Sequence, residues 1–269
     1  MTLALLAAAA TGLTAAATTL PPSLPVLPYS FRQTTTVETL DTAHKSTERD
    51  TKVQEVFPVE GKMLFHRLIS RNGKPLSPKE QEEETKRLES FRQAIREGRK
   101  PKDAEQVTDL TARFSGEELE RAFISEEVGR EELRGRRCIL YKFRGRPGRS
   151  IKIGGQYQKF FDVVVDGVDG RLWVDEEDRK PARGEVRLKK PVSIAFGLLV
   201  YIKQFDLDVD FERLEPGIWW PCKAGGVADA RFLVFQPCIK RGQVLNENFK
   251  RMPLQGSSAA KSGSPGLGR

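Results

Sequence analysis

Residues 205–211 read Phe-Asp-Leu-Asp-Val-Asp-Phe and alternate strictly between apolar and acidic side chains. Successive side chains of a β-strand point to opposite faces of a sheet, so this period of two predicts a strand with one buried and one solvated face. Residues 182–189 alternate in the same way, with Arg183, Glu185, Arg187 and Lys189 at every second position. Together the two stretches predict a sheet that buries only one of its faces.

Strand-like stretches extend over most of the chain, and turn residues separate them. β-Branched and aromatic residues predict strands at 29–40, 46–59, 62–70, 138–143, 171–175, 182–190, 198–211, 218–222, 232–235 and 244–249. The dipeptides Asn72-Gly73, Asp169-Gly170, Pro216-Gly217 and Arg241-Gly242 fall at hairpin-like positions. This succession predicts an antiparallel meander.

One helix is predicted from Pro78 to about Glu97. Ser77 stands at the N-cap position, Pro78 at the first helical position and Glu80 three residues after the cap, a combination typical of a helix start. The helix has few apolar residues, Leu88, Phe91 and Ile95 among them, so only a narrow stripe can be buried and the helix should lie on the surface. For residues 101–120 the sequence leaves a second helix and a loop as alternatives.

Composition indicates one soluble domain with added tails. The chain has 269 residues and a net charge of +8 from 45 Lys and Arg against 37 Asp and Glu. Because the basic residues are mixed with acidic ones, a solvated surface is preferred to an anionic partner. The three cysteines lack the paired spacing of a zinc site or a redox motif, and a bridge between Cys222 and Cys238 is left open.

The two ends of the chain differ from its middle. Residues 1–17 are apolar and end in an Ala-x-Ala pattern at Ala15 and Ala17, which predicts a signal peptide, although no Lys or Arg precedes the apolar run. Residues 18–28 form a Pro-rich arm, residues 29–252 the folded domain with a helical insertion at 77–120, and residues 253–269 a tail expected to be disordered. A soluble, exported, periplasmic protein is expected.

Three motifs stand in order in the middle of the chain, at residues 129–143, 170–185 and 216–221. They resemble, in that order, a "G-x-E-x-[LV]-x-G-R" strand pair, a "G-x-[LI]-W-[IV]-D…P-x-R" hairpin and a "G-x-W-x-P" hairpin. These are the motifs of the LolA-like superfamily of outer-membrane lipoprotein carriers. The charged insertion at 76–109 and the Arg-rich one at 144–169 depart from the family pattern and indicate an uncharacterised branch.

The resemblance implies an α+β fold in which a strongly curved antiparallel β-sheet forms an unclosed half-barrel with helices over its concave face. It also implies an exported carrier that holds the acyl chains of a lipid or lipoprotein in an apolar cavity. Trp173 and Phe205 are expected to point to the same side of the sheet. The expected cavity wall consists of Phe57, Phe65, Phe143, Trp173, Phe196, Leu198, Tyr201 and Phe205.

Catalytic and metal-binding signatures are not found in the sequence. His44 and His66 lie in strand-like contexts, and no nucleophile elbow, zinc motif or phosphate-binding loop occurs. A candidate cation site is formed by the alternating carboxylates Asp206, Asp208, Asp210 and Glu212. Neighbours in this series stand about 6.6 Å apart along a strand, too far for a shared Ca²⁺, so a solvated face is preferred. We therefore expect no enzyme, no cofactor and no metal.

Partners other than acyl chains remain as alternatives. The densest basic run, 134–152, is interpreted as a solvated loop, with contact to anionic lipid head groups second and DNA third, and no nucleic-acid partner is expected. A periplasmic sensor that binds a segment of a membrane partner is the first alternative function, and a hydrolase is the second. An envelope partner protein or the membrane surface is accordingly a candidate partner.

Overall fold

The computed structural model describes residues 28–61, 63–99, 101, 121–149, 164–194, 200–232 and 236–252. These residues form twelve strands, one α-helix and one short 3-10 turn at Val165–Gly167. The helix is α1 (Pro78–Arg96). The strands are β1 (Tyr29–Leu40), β2 (Ser46–Val59), β3 (Met63–Arg71), β4 (Lys74–Pro75), β5 (Phe123–Leu133), β6 (Arg136–Gly145), β7 (Val168–Asp175), β8 (Pro181–Leu188), β9 (Val192–Ile194), β10 (Val200–Glu215), β11 (Ile218–Phe232) and β12 (Gln236–Arg251).

All twelve strands belong to a single antiparallel sheet. Its order is β4-β3-β2-β1-β12-β11-β10-β8-β7-β6-β5, and β9 pairs with β10 beside this path. The outer strands β4 and β5 do not pair with each other, so the sheet is open. Register shifts interrupt several strand pairs, and such bulges increase the local twist and bend of a sheet. The predicted α+β fold with a curved, unclosed antiparallel sheet is confirmed.

The sheet has a core face and an opposite face, as the alternation at 205–211 predicts. Leu207 and Val209 are fully buried on the core face. The register places Val186 beside Leu207 and Gly184 beside Val209, and the core continues onto β7 and β6 through Leu172 and Phe143. Asp206, Asp208 and Asp210 lie on the opposite face, beside Arg187, Glu185 and Arg183.

Two predicted turns are wrong, because both lie inside strands. Asp169-Gly170 is part of β7, where a Cβ at Gly170 would come within 2.0 Å of the Glu185 carbonyl oxygen and 2.3 Å of the Phe143 ring. Gly170 is therefore required for close packing and not for a turn. Arg241-Gly242 is part of β12, where Gly242 lies beside Gly226 of β11.

The helix lies on the opposite face, at the β2–β3 end of the sheet. Ser77 and Glu80 form the predicted capping box, and Pro78 is the first helical residue. Phe91 and Ile95 pack against Val59 and Phe65, with the rings of Phe65 and Phe91 5.1 Å apart. Phe57 and Phe65 are direct cross-strand partners, so both point towards the helix.

Strand lengths are the main difference from the prediction. The strand predicted at 218–222 is longer than expected, because β11 runs continuously from Ile218 to Phe232. Residues 233–235 of the strand predicted at 232–235 lie outside the described residues. Residue patterning does not predict β4, β5 or β9, although the resemblance at 129–143 implies a strand pair that includes the second half of β5. The predicted signal peptide and most of the Pro-rich arm, the segment 102–120, the tail 253–269 and the cavity residues Phe196 and Leu198 lie outside the described residues.

The three cysteines are free thiols, and the register rules out a bridge between Cys222 and Cys238. Cys238 pairs with Ala230, eight residues along β11 from Cys222. At about 3.3 Å per residue the two Cα atoms are about 26 Å apart, whereas a disulfide requires less than about 7 Å. Within the described ranges, no helix is long and apolar enough to cross a membrane.

Candidate binding groove

An open groove of about 810 Å³ lies where β8, β10, β11 and β12 meet the β5–β6 turn. Its lining mixes residues of both charges with apolar ones. The apolar or weakly polar members are Tyr29, Leu133, Leu214, Cys222, Leu245 and Phe249, and the polar or charged members are Arg134, Arg183, Asp210, Glu212, Arg213, Lys223, Asn246, Glu247 and Asn248.

A row of cross-strand partners forms the floor of the groove on the opposite face. Arg183 of β8 lies beside Asp210 of β10, which lies beside Lys223 of β11. Lys223 in turn lies beside Leu245 of β12, and Leu245 beside Thr34 of β1. The row therefore places a cation, an anion, a second cation and an apolar side chain across four neighbouring strands, about 4.8 Å from one strand to the next.

The β5–β6 turn forms one wall of the groove. Arg134 and Gly135 both have positive φ, as a two-residue hairpin turn requires. This geometry directs the Arg134 side chain over the floor, where its Nη2 donates to the Ala182 carbonyl and to Asp210 Oδ1, each at 3.2 Å. The Cys222 thiol lies below and donates to the Asp210 carbonyl, and burial raises its pKa.

Two groove residues are left available for a ligand. Lys223 is exposed and makes no ion pair or hydrogen bond with the other described residues. Leu245 is 42% exposed, one of three large apolar residues exposed in the described part of the chain. Removal of this apolar surface from water would stabilise a bound ligand, while Lys223 could pair with an acidic group.

The turn beyond the groove is held by two aspartates. Asp175 is buried and accepts hydrogen bonds from Nε and Nη2 of Arg136 at 2.6 and 2.9 Å, and from the N–H groups of Glu177 and Asp178. Asp178 accepts from Arg213 and from Nε1 of Trp219. Burial alone would raise the pKa of Asp178, but these donors outweigh it and lower the pKa to about 2. Through the hydrogen bonds of Asp178, the turn between β7 and β8 is connected to Arg213 of β10 and Trp219 of β11.

The six expected cavity residues that the structure describes do not come together. Phe143 and Phe205 belong to the core-face cluster, whereas Phe57 and Phe65 pack under α1 on the opposite face. Trp173 also lies on the opposite face, where it packs against Cys138, Leu140 and Ala182 and donates from Nε1 to Glu131. The prediction that Trp173 and Phe205 point to the same side is therefore wrong, because Trp173 lies beside Arg183, which in turn lies beside Asp210 on the opposite face. Tyr201 is half-buried on β10 beside Arg231.

The sequence gives only a partial signal for the groove residues. Asp210 and Arg183 stand in the two alternating stretches and are expected on a solvated face. Lys223 and Leu245 could not be aligned with them, because the sequence does not give the register of β11 and β12. Among the described residues no group of His, Cys, Asp or Glu side chains could hold a metal ion.

Comparisons with known proteins give a likeness of fold at low identity. No family model and no curated protein matches the chain. An outer membrane lipoprotein-sorting protein domain from Vibrio parahaemolyticus is similar at 10% identity and a TM-score of 0.32, over 85% of this chain and 87% of that one. A DUF1329 family protein from Desulfovibrio piger is similar at 11% identity and a TM-score of 0.29, over 93% and 92% of the two chains.

The Pseudomonas aeruginosa MucA/MucB complex contains a chain that is similar at 8% identity and a TM-score of 0.25, over 93% of this chain and 99% of that one. All these TM-scores are below 0.5, so the likeness supports neither a shared ligand nor a shared partner.

Proposed function

We propose that this protein is an exported, non-enzymatic binding protein that holds an extended polypeptide segment of an envelope partner, such as a lipoprotein, in the groove. The observation that carries the proposal is the mixed lining of the groove floor. Arg183, Asp210, Lys223 and Leu245 offer both signs of charge and an apolar contact within four strands.

A polypeptide suits this lining better than a bare acyl chain does. A hydrocarbon chain gains free energy only from apolar surroundings and would leave charged groups desolvated without partners. A peptide segment supplies apolar side chains for Leu245 and Phe249, and polar or charged groups for Lys223 and Glu212. Its own backbone can also bond to polar side chains.

The volume of the groove is suitable for a short peptide segment. Binding sites for drug-sized ligands range from about 300 to 1,000 Å³, and the groove has about 810 Å³. That space accommodates a few residues of an extended chain. Export and a periplasmic location are part of the proposal and rest on the Ala-rich sequence at 1–17.

Site-specific photo-crosslinking in the native host tests the proposal. A photoreactive amino acid at Leu245 should give a covalent adduct with an envelope polypeptide, which mass spectrometry identifies. The matched control is the same amino acid at Val128, an aliphatic residue on β5 that is 39% exposed and lies outside the groove. The identified segment, made as a peptide, should bind purified protein, and Leu245→Asp should weaken that binding at least tenfold while Val128→Asp should not.

Carriage of an acyl chain on the core face is a second candidate. Ala224, Gly226, Ala228 and Ala230 alternate along β11 and are small, and Phe205 beside Ala228 is only half-buried. If the core face holds the ligand, a fluorescent fatty-acid probe is taken up by the wild type and by Trp173→Asp, but not by a folded Phe205→Asp variant. If the photoreactive amino acid gives equal crosslinking at positions 245 and 128, and the wild type takes up the probe, the groove proposal is wrong. Acyl-chain carriage on the core face then takes its place.

A further inference from the structure

One end of the sheet carries exposed cations well away from the groove. We call it the basic rim and define it by six residues at the end where β6, β8 and β11 finish and β7, β10 and β12 begin. Antiparallel pairing brings these strand ends together, as the pairs of Arg144 with Asp169, Asp169 with Arg187 and Arg187 with Asp206 show. The six residues are Arg144, Arg149, Lys189, Lys190, Lys203 and Arg231.

The basic rim has more positive than negative charge. Lys189 pairs with Asp169 at 3.1 Å and Lys203 lies 3.7 Å from Asp229. Arg144, Lys190 and Arg231 are exposed and form no ion pair with any described residue.

At the other end of the sheet, near the groove, the cations are mostly matched. Arg136 pairs with Asp175, Arg213 with Asp178, and Arg130 with Glu176. The molecule is therefore electrically polarised along its strands, with the excess of positive charge at the basic rim.

We propose that the basic rim docks the protein onto a membrane surface rich in anionic phospholipid. Five adjacent strands, from β6 to β11, span about 19 Å at the usual strand spacing, so several cations can meet a flat anionic surface together. Each Lys or Arg close to such a surface adds to the attraction, and the effect falls off within a Debye length of about 8 Å at physiological salt.

A lipid surface fits the basic rim better than a nucleic acid does. The described part of the rim consists of strand ends and turns, with no helix or ribbon that could enter a groove of DNA.

Vesicle sedimentation with the purified protein tests the proposal. The wild type should bind vesicles of phosphatidylglycerol and phosphatidylcholine at low salt, should not bind vesicles of phosphatidylcholine alone, and should dissociate at high salt. The double variant Lys190→Glu/Arg231→Glu should bind the anionic vesicles at least roughly 10–30-fold more weakly than the wild type does.

A control variant distinguishes the effect of the basic rim from the effect of the protein's net charge. Arg32→Glu/Lys250→Glu makes the same change in net charge at exposed strand positions of the other end. It should lower vesicle binding by less than about threefold, and circular dichroism should show both variants folded. Equal losses in the two double variants, equal binding to both kinds of vesicle, or tighter rim-dependent binding to a DNA duplex would each overturn the proposal. Leu245→Asp tests the groove and should leave vesicle binding unchanged.

Discussion

Asp178 shows how single polar residues hold the open sheet together. Its carboxylate accepts from Arg213 Nε at 2.6 Å and from Trp219 Nε1 at 2.8 Å, which ties the β7–β8 turn to β10 and β11. A half-buried carboxylate that has charged and neutral donors contributes stability, and removing its charge leaves Arg213 without its partner.

Asp178→Asn should lower the free energy of unfolding by about 1–3 kcal/mol at neutral pH. The pKa is about 2 in the folded protein and about 3.9 in an unfolded chain, so the carboxylate stabilises the fold above pH ~4 and loses this effect as the pH falls towards 2. Urea unfolding at several pH values should therefore show a smaller loss of stability between pH 4 and pH 2 in the variant. Asp166→Asn, at an exposed carboxylate, is the control. Parallel pH profiles of wild type and Asp178→Asn would contradict this account.

At the residue scale the sequence predicts burial better than it predicts contacts. The alternation at 205–211 correctly assigns Leu207 and Val209 to the core and the three aspartates to the other face. It cannot place Trp173 relative to Phe205, because the two residues lie on different strands and a register shift of one residue exchanges the faces.

The helix is the element with the clearest signals in the sequence. Its start at Ser77-Pro78 and its buried residues Phe91 and Ile95 agree with the structure, because capping and a narrow apolar stripe are local properties. The boundaries of β1 and β2 are also predicted correctly. Residue patterning misses strand β5, of which only the second half is implied by the resemblance at 129–143, because its residues are mostly exposed and charged. Such a composition protects a sheet edge but does not alternate.

Phe91→Ala should destabilise the contact between α1 and the β2–β3 hairpin. Phe91 is buried against Phe65, and removing a buried aromatic side chain typically costs about 3–5 kcal/mol. Hydrogen exchange should rise first in α1 and β3. Glu89→Ala changes an exposed neighbour on the same helix and should have little effect. Unchanged exchange in α1 of the Phe91 variant would mean that the helix does not depend on this packing.

At the scale of the whole molecule, β12 connects two halves of the sheet. Strands β1 to β4 lie on one side of it and β11, β10 and β8 to β5 on the other. Tyr29 of β1 pairs with Arg251 of β12, 222 residues later in the chain. The sequence could not predict this pairing, since nothing local links the first strand to the twelfth.

Deletion of all residues after 235 should prevent the sheet from forming as one unit. The truncated chain loses β12 and with it the pairing partner of both β1 and β11. It should show no cooperative thermal transition and should be degraded rapidly by protease. Truncation after residue 252 keeps all twelve strands and serves as the control. A cooperative transition in the shorter chain would show that the two halves are independent domains.

The central position of β12 also determines how late in translation the sheet can be completed. Hairpins from the first part of the chain can form as they emerge, but they cannot join the second half until the residues of β12 have been synthesised. Contacts between residues so distant in sequence form slowly, because a long loop must close first. A chain built in this order stays incompletely folded throughout translation, which is the state that a secretion channel for unfolded polypeptides requires.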